Sequence, residues 1–205
     1  FMSKDIEIEV RGPLSKEKFE ELVQLFDREG EKTAEKNRVL IDYSKPLEEG
    51  KESRQTDIRL RVTNGIPEIV IKTGEWGGVD QRKELSVLAG KGEFDKLVEI
   101  FAALGFIKGV LCVRNSQVYQ YKGIEFALVE VPDHSYYYEA EKMAHEGEDL
   151  NAITEEIKTV CAELGLTVFD KQQFFEYISL LNREANETFD FTSYVPDYFK
   201  DRFYL

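Results

Sequence analysis

Residues 5–11 read DIEIEVR, and the alternation runs unbroken: Ile6, Ile8 and Val10 share one face of an extended chain, Glu7, Glu9 and Arg11 the other. That period of two predicts a strand whose polar face carries acid and base together. The same parity returns downstream. A strand expected at 57–63 holds Arg59 and Arg61, one at 66–73 holds Lys72, one at 80–88 holds Arg82 and Glu84, and one at 136–143 holds Glu139 and Glu141. Further strands are expected at 33–43, 107–114, 117–122 and 124–131. Asn64-Gly65 is a hairpin signal, and Lys122-Gly123 joins a second pair.

Helical spacing appears between these segments. Phe19, Leu22, Val23 and Phe26 define a helix at 15–29 behind Ser15 as N-cap, closed by Gly30. Phe94, Leu97, Val98 and Phe101 define another at 93–104, stopped by Gly105. Helices follow at 149–164 and 171–186, the latter with Phe174, Phe175, Ile178 and Leu181 on one face. This last helix can plug one end of a tunnel or pack outside, and outside packing is the expectation. The aromatic tail from Tyr194 to Leu205 can dock on this chain or on a second copy, as in a homodimer. Pro46, Gly50 and the charges around them predict a mobile loop.

Eight or nine antiparallel strands with few helices point to a sandwich or a closed barrel, and closure removes exposed edges. The helices offer apolar stripes that can cover only the apolar parity. If the helices pack outside, the charged parity faces inward, within one domain over 1–205. Alternation alone is equally what a half-buried sheet with mixed charges in solvent shows.

The 205 residues, 42% hydrophobic and 12% aromatic, suffice for a core, and no run reaches the roughly 18 apolar residues of a membrane helix. A cytoplasmic protein is expected. The net charge of −13 argues against nucleic acid or an acidic membrane as partner, so an anionic ligand must find a local cationic site. Cys112 and Cys161 fit neither a metal spacing nor a disulfide framework and read as buried thiols. His134 and Trp76 are left outside the site, and no Walker A loop is present.

The ordered set Glu7-x-Glu9-x-Arg11, Arg59-x-Arg61, Lys72, Arg82-x-Glu84 and Glu139-x-Glu141 resembles the CYTH superfamily, the triphosphate tunnel metalloenzymes, across residues 5 to about 143. Arg11 stands where the family's first motif has Lys. The resemblance implies an α+β fold, an eight-stranded antiparallel closed barrel with a charged interior and helices packed outside, in which Glu7, Glu9, Glu139 and Glu141 hold Mg²⁺ or Mn²⁺. It further implies that Arg11, Arg59, Arg61, Lys72, Arg82 and Arg114 grip a triphosphate, with Lys108 in reserve, and that Glu9, Glu84 and Lys72 serve catalysis. Two positions depart from the family. Ser116 follows Arg114 where a Lys-x-Arg pair is usual, and Val129 replaces an aspartate, with Glu125 and Glu130 as displaced acids. The function implied is metal-dependent hydrolysis of tripolyphosphate, a nucleoside triphosphate or thiamine triphosphate. Its alternatives are class IV adenylate cyclisation and a module that only binds a nucleotide or polyphosphate.

Overall fold

A computed structural model describes residues 6–44, 56–75 and 77–204. The strands are β1 (Ile6–Leu14), β2 (Glu31–Asp42), β3 (Thr56–Thr63), β4 (Ile66–Glu75), β5 (Val79–Leu88), β6 (Lys108–Tyr121), β7 (Ile124–Val131), β8 (Ser135–Ala144) and β9 (Glu187–Asp190). The helices are α1 (Lys16–Glu29), α2 (Phe94–Ala103), α3 (Leu150–Glu163), α4 (Lys171–Glu184) and α5 (Tyr198–Phe203). The first eight strands lie in the order β2-β3-β4-β5-β1-β8-β7-β6, and β6 returns to β2 to close an antiparallel ring. The expected α+β architecture with a closed antiparallel sheet is therefore present.

Local chemistry sets the corners. Asn64 and Gly65 take φ of 51° and 80°, and Lys122 and Gly123 take 50° and 74°, the left-handed pairs that a two-residue hairpin turn requires. Ser15 accepts from the Lys18 backbone N–H to start α1, and a capping box at Asp170 starts α4.

The ring is dry outside and charged inside. On β1, Ile8 and Val10 are fully buried on the outer face, in a cluster with Leu22 and Phe26 of α1 and Ile157 and Cys161 of α3. A second outer cluster joins Ile41 and Leu60 to Phe94, Val98 and Phe101 of α2 and Phe199 of α5. Each such side chain contributes roughly 1.5–3 kcal/mol on burial. That offsets the cost of enclosing ions, several kcal/mol each before pairing. Glu7, Glu9 and Arg11 are buried too, on the inner face.

Two expectations change, and a point left open is answered. The strands expected at 107–114 and 117–122 are one 14-residue strand, β6. The polar run Arg114-Asn115-Ser116 holds no Gly or Pro, and its backbone stays paired to β2 at Arg38, Asn37 and Lys36. Of the two placements open to the helix at 171–186, α4 takes the one at a mouth of the ring: Phe174, Tyr177, Ile178 and Leu181 line a cavity together with Arg11, Arg59 and Glu139. The tail docks on its own chain, with Phe199 fully buried and 4.9 Å from Phe94, while Asp95 accepts from Tyr194 Oη and Phe199 N. The expected loop at Pro46 and Gly50, Trp76 and Leu205 lie outside the described residues.

Candidate functional site

Inner-face residues on a strand recur every two positions, about 6.8 Å apart. On β1 this sets Arg11, Glu9 and Glu7 at three successive depths. β8 runs antiparallel beside it, bringing Glu139 opposite Arg11 and Glu141 opposite Glu9. On the other flank β5 places Asp80 opposite Glu9 and Arg82 opposite Glu7.

At the level of Arg11, its Nε lies 3.1 Å from Glu139 Oε1 and 2.5 Å from Glu9 Oε1, while Nη1 donates to Asp80 Oδ2 at 2.8 Å. The approach to Glu9 is off the N–H axis, so this buried oxygen accepts no hydrogen bond. Beside it, Asp57 Oδ2 accepts from Arg82 Nη1 and from Arg59 Nη2, both at 2.7 Å. Deeper, Lys72 Nζ donates to both Glu7 oxygens at 2.7 and 2.9 Å and sits 3.0 Å from Glu84 Oε2. Arg61 then links Glu84 at 3.1 Å to Glu68 at 2.6 Å.

Among the described residues, Glu7, Glu9 and Glu141 converge with one oxygen each inside a 4.8 Å span. Glu139, expected in that set, is engaged by Arg11 instead. The electrostatics divide the carboxylates in the same way. For Glu139 burial opposes ionisation, yet Arg11, Lys72 and Arg38 hold it down to about 2. Burial pushes Glu9 well above the usual carboxylate range against the pull of Arg11, with Glu139 and Glu7 adding repulsion. Burial and the neighbouring Glu7 raise Glu141 to about 7. Carboxylates crowded this closely repel, and Glu9 Oε1, though ion-paired with Arg11, accepts no hydrogen bond. An all-oxygen donor set of this kind fits a hard divalent cation such as Mg²⁺ or Mn²⁺.

The remaining expected residues divide. Arg59 and Arg114 line the cavity under α4, where Arg114 donates to Val113 O and to Asn186 Oδ1 at 2.8 Å. Lys108 does not join them: its side chain is 71% exposed and pairs with Asp190 of β9 at 3.1 Å. Ser116 and Val129 stand side by side in the β6–β7 ladder and line the same cavity. His134 sits in the β7–β8 turn, its Nε2 3.4 Å from Glu184.

Sequence reading overlooked Asp57, Asp80, Arg38 and Tyr137. Asp57 and Asp80 are 2% and 1% exposed and hold three of the arginines in place. A signal existed, because Asp57 shares parity with Arg59, Asp80 with Arg82 and Tyr137 with Glu139. Among the described residues no helix is long and apolar enough to cross a membrane.

Comparisons with known proteins agree with this geometry. The model of a family described as the CYTH domain matches residues 5–175. A protein of Pyrococcus horikoshii OT3 superposes with a TM-score of 0.66 at 22% identity, covering 85% of this chain and 98% of its own. A candidate adenylate cyclase from Vibrio parahaemolyticus gives 0.60 at 15% identity over 85% and 98% of the two chains. A candidate adenylyl cyclase from Hippeastrum, described as having a dominant triphosphatase activity, gives 0.53 at 14% over 82% and 90%. At these identities the likeness is one of fold. A comparison with the curated proteins finds no match.

Proposed function

This chain belongs to the CYTH domain family, and on that premise we propose that it hydrolyses the terminal phosphoryl group of a triphosphate with a divalent cation. One observation carries the reading: Glu7, Glu9 and Glu141 converge inside a closed ring whose adjoining wall bears Lys72, Arg11 and Arg82. Mg²⁺ or Mn²⁺ held by those three carboxylates would supply positive charge to the phosphate oxygens.

The chain's own residues do the rest. Lys72 donates to Glu7, so neutralising that cluster would release its N–H donors to phosphate oxygens, while Arg11 stays held by Glu139 and Asp80. Asp57 and Asp80 fix the planes of Arg59, Arg82 and Arg11, so the clamp is set before substrate arrives. Glu84 is kept ionised by Lys72 and Arg61 against the effect of burial, and so offers an acceptor that can orient an attacking water. Catalysis is then positioning plus electrostatics, as phosphoryl transfer requires.

The test is phosphate release from tripolyphosphate, ATP and thiamine triphosphate with Mg²⁺ or Mn²⁺. Wild type is expected to turn over at least one of them, and Glu9→Gln to lose about 10–100-fold or more. Cyclic AMP with pyrophosphate from ATP would reassign the chain to cyclisation. Binding without turnover would select a capture module, the reading that Ser116 and Val129 favour by thinning the charged wall.

A further inference from the structure

Two arginines of the inner wall lack what the others have. Arg11, Arg59, Arg61 and Arg82 are each ion-paired with a carboxylate, of Asp80, Asp57, Glu68 and Asp57 respectively. Among the described residues, Arg38 of β2 and Arg114 of β6 have no such pair. Arg38 Nε donates to Thr63 Oγ1 at 3.1 Å, and Arg114 donates to Val113 O and, at 2.8 Å, to Asn186 Oδ1. These neutral acceptors orient the two guanidiniums without cancelling their charge.

The two residues stand opposite each other in the β2–β6 ladder, and both line the cavity under α4. Like charges directly across a ladder destabilise it. Burial and the neighbouring Arg61 pull the Arg38 guanidinium below its ordinary value. Glu139 and Glu84 act on it only from a distance, the one bound to Arg11 and the other to Lys72 and Arg61. Lys36, which faces the neutral Ser116 one step along the same ladder, is by contrast engaged by Glu125 at 3.7 Å. Arg59 borders the same cavity, and its buried Nε has no hydrogen-bond acceptor.

We propose that Arg38, together with Arg114, clamps one phosphoryl group of the substrate. The inference deepens, and rests on, the triphosphate reading above, and it adds to the site a residue of β2. A phosphoryl oxygen between the two guanidiniums turns their repulsion into a shared attraction, and each planar fork offers it parallel N–H donors. Position says which group is held. Arg11 and Glu139 border the same cavity, and Glu9 and Glu141 lie one two-residue step deeper. The clamp therefore takes the phosphoryl group on the α4 side of the carboxylate cluster, while Lys72 serves the side of Glu7.

Titration calorimetry with tripolyphosphate and with ATP, each with Mg²⁺, tests the clamp on wild type, Arg38→Gln and Arg28→Gln. Arg28 is an exposed arginine of α1, so its removal reports what the loss of any one cation does to a chain of net charge −13. Arg38→Gln is expected to weaken the tighter ligand about tenfold or more, the worth of a charge-assisted hydrogen bond, and Arg28→Gln by less than about twofold. A loss in Arg38→Gln no larger than that in Arg28→Gln overturns the clamp. If Arg38→Gln does not fold, Arg38→Lys decides: severalfold weaker binding is expected because an ammonium lacks the fork, and wild-type affinity overturns the proposal. Binding that depends on Arg38 without phosphate release by wild type sinks the hydrolase reading and keeps the clamp. Phosphate release with Arg38→Gln binding like Arg28→Gln does the reverse, and no binding of either ligand overturns both.

Discussion

Asp57 and Arg82, 2% and 1% exposed, show how tightly the inner wall is balanced at the residue scale. Removing one partner of a buried ion pair strands the other, at a cost of about 3–5 kcal/mol. Asp57→Ala is therefore expected to destabilise the fold by about that much in urea titrations, because it leaves Arg59 and Arg82 without a shared acceptor. A loss below about 1 kcal/mol would mean that water or Asp42 and Asp80 substitute for it. Most of the candidate site was legible at this scale because parity is a backbone property: Glu7, Glu9, Arg11, Lys72 and Arg82 are all where alternation places them. Parity also placed Asp57 and Asp80, yet lone aspartates near strand ends read as solubilising surface. Lys108 shows the limit of the rule. It has the parity of Arg114, but at that position the β6 flank is covered by β9, past the end of β7, and the side chain meets solvent.

At the scale of elements, the mouth depends on how the segment joining α3 to α4 crosses β1. Phe169 N donates to Arg11 O at 2.8 Å, and the crossing passes so close that a Cβ on Gly12 would sit 1.8 Å from Thr167 O. Gly12→Ala is expected to cost about 1–3 kcal/mol, as overpacking does, and to loosen α4 while the ring persists. Hydrogen exchange would register this as faster exchange in α4 with β6–β8 protection retained. None of this was readable beforehand. Helical periodicity shows that Phe174, Phe175, Ile178 and Leu181 share a face, and it says nothing about what that face meets. The split of β6 into two strands has a similar origin: three polar residues mimic a break, and only the ladder from β2 reveals continuity.

For the whole molecule, the crowded carboxylates couple metal to stability. A ligand at about 100 times its dissociation constant adds about 2.7 kcal/mol, or roughly 5–10 °C in melting temperature for a chain of this size. Saturating Mn²⁺ should raise the melting temperature of wild type in that range, EDTA should return it, and Glu9→Gln should blunt the shift. An equal shift in the variant would place the cation elsewhere. The closed ring itself was not legible from the faces alone, which fit a half-buried sheet as well; the order of the charged motifs along the chain turned the charged parity inward, where the ring holds it. The strand order was not legible either, since alternation specifies faces and not neighbours.

The pairing of β1 with β8 carries a consequence for how the chain reaches its native state. Arg11 and Glu139, joined in the ring, are 128 residues apart in sequence. Loop-closure entropy must be spent before such contacts form, so high contact order slows folding toward the millisecond-to-second regime. The local meanders β3-β4-β5 and β6-β7-β8 need no such closure and can form first, with unpaired flanks open to association until β1 and β2 are captured. Synthesis compounds the delay, because β1 emerges first and waits for β8. For this protein, the interval before the seams close is the period of greatest exposure to aggregation.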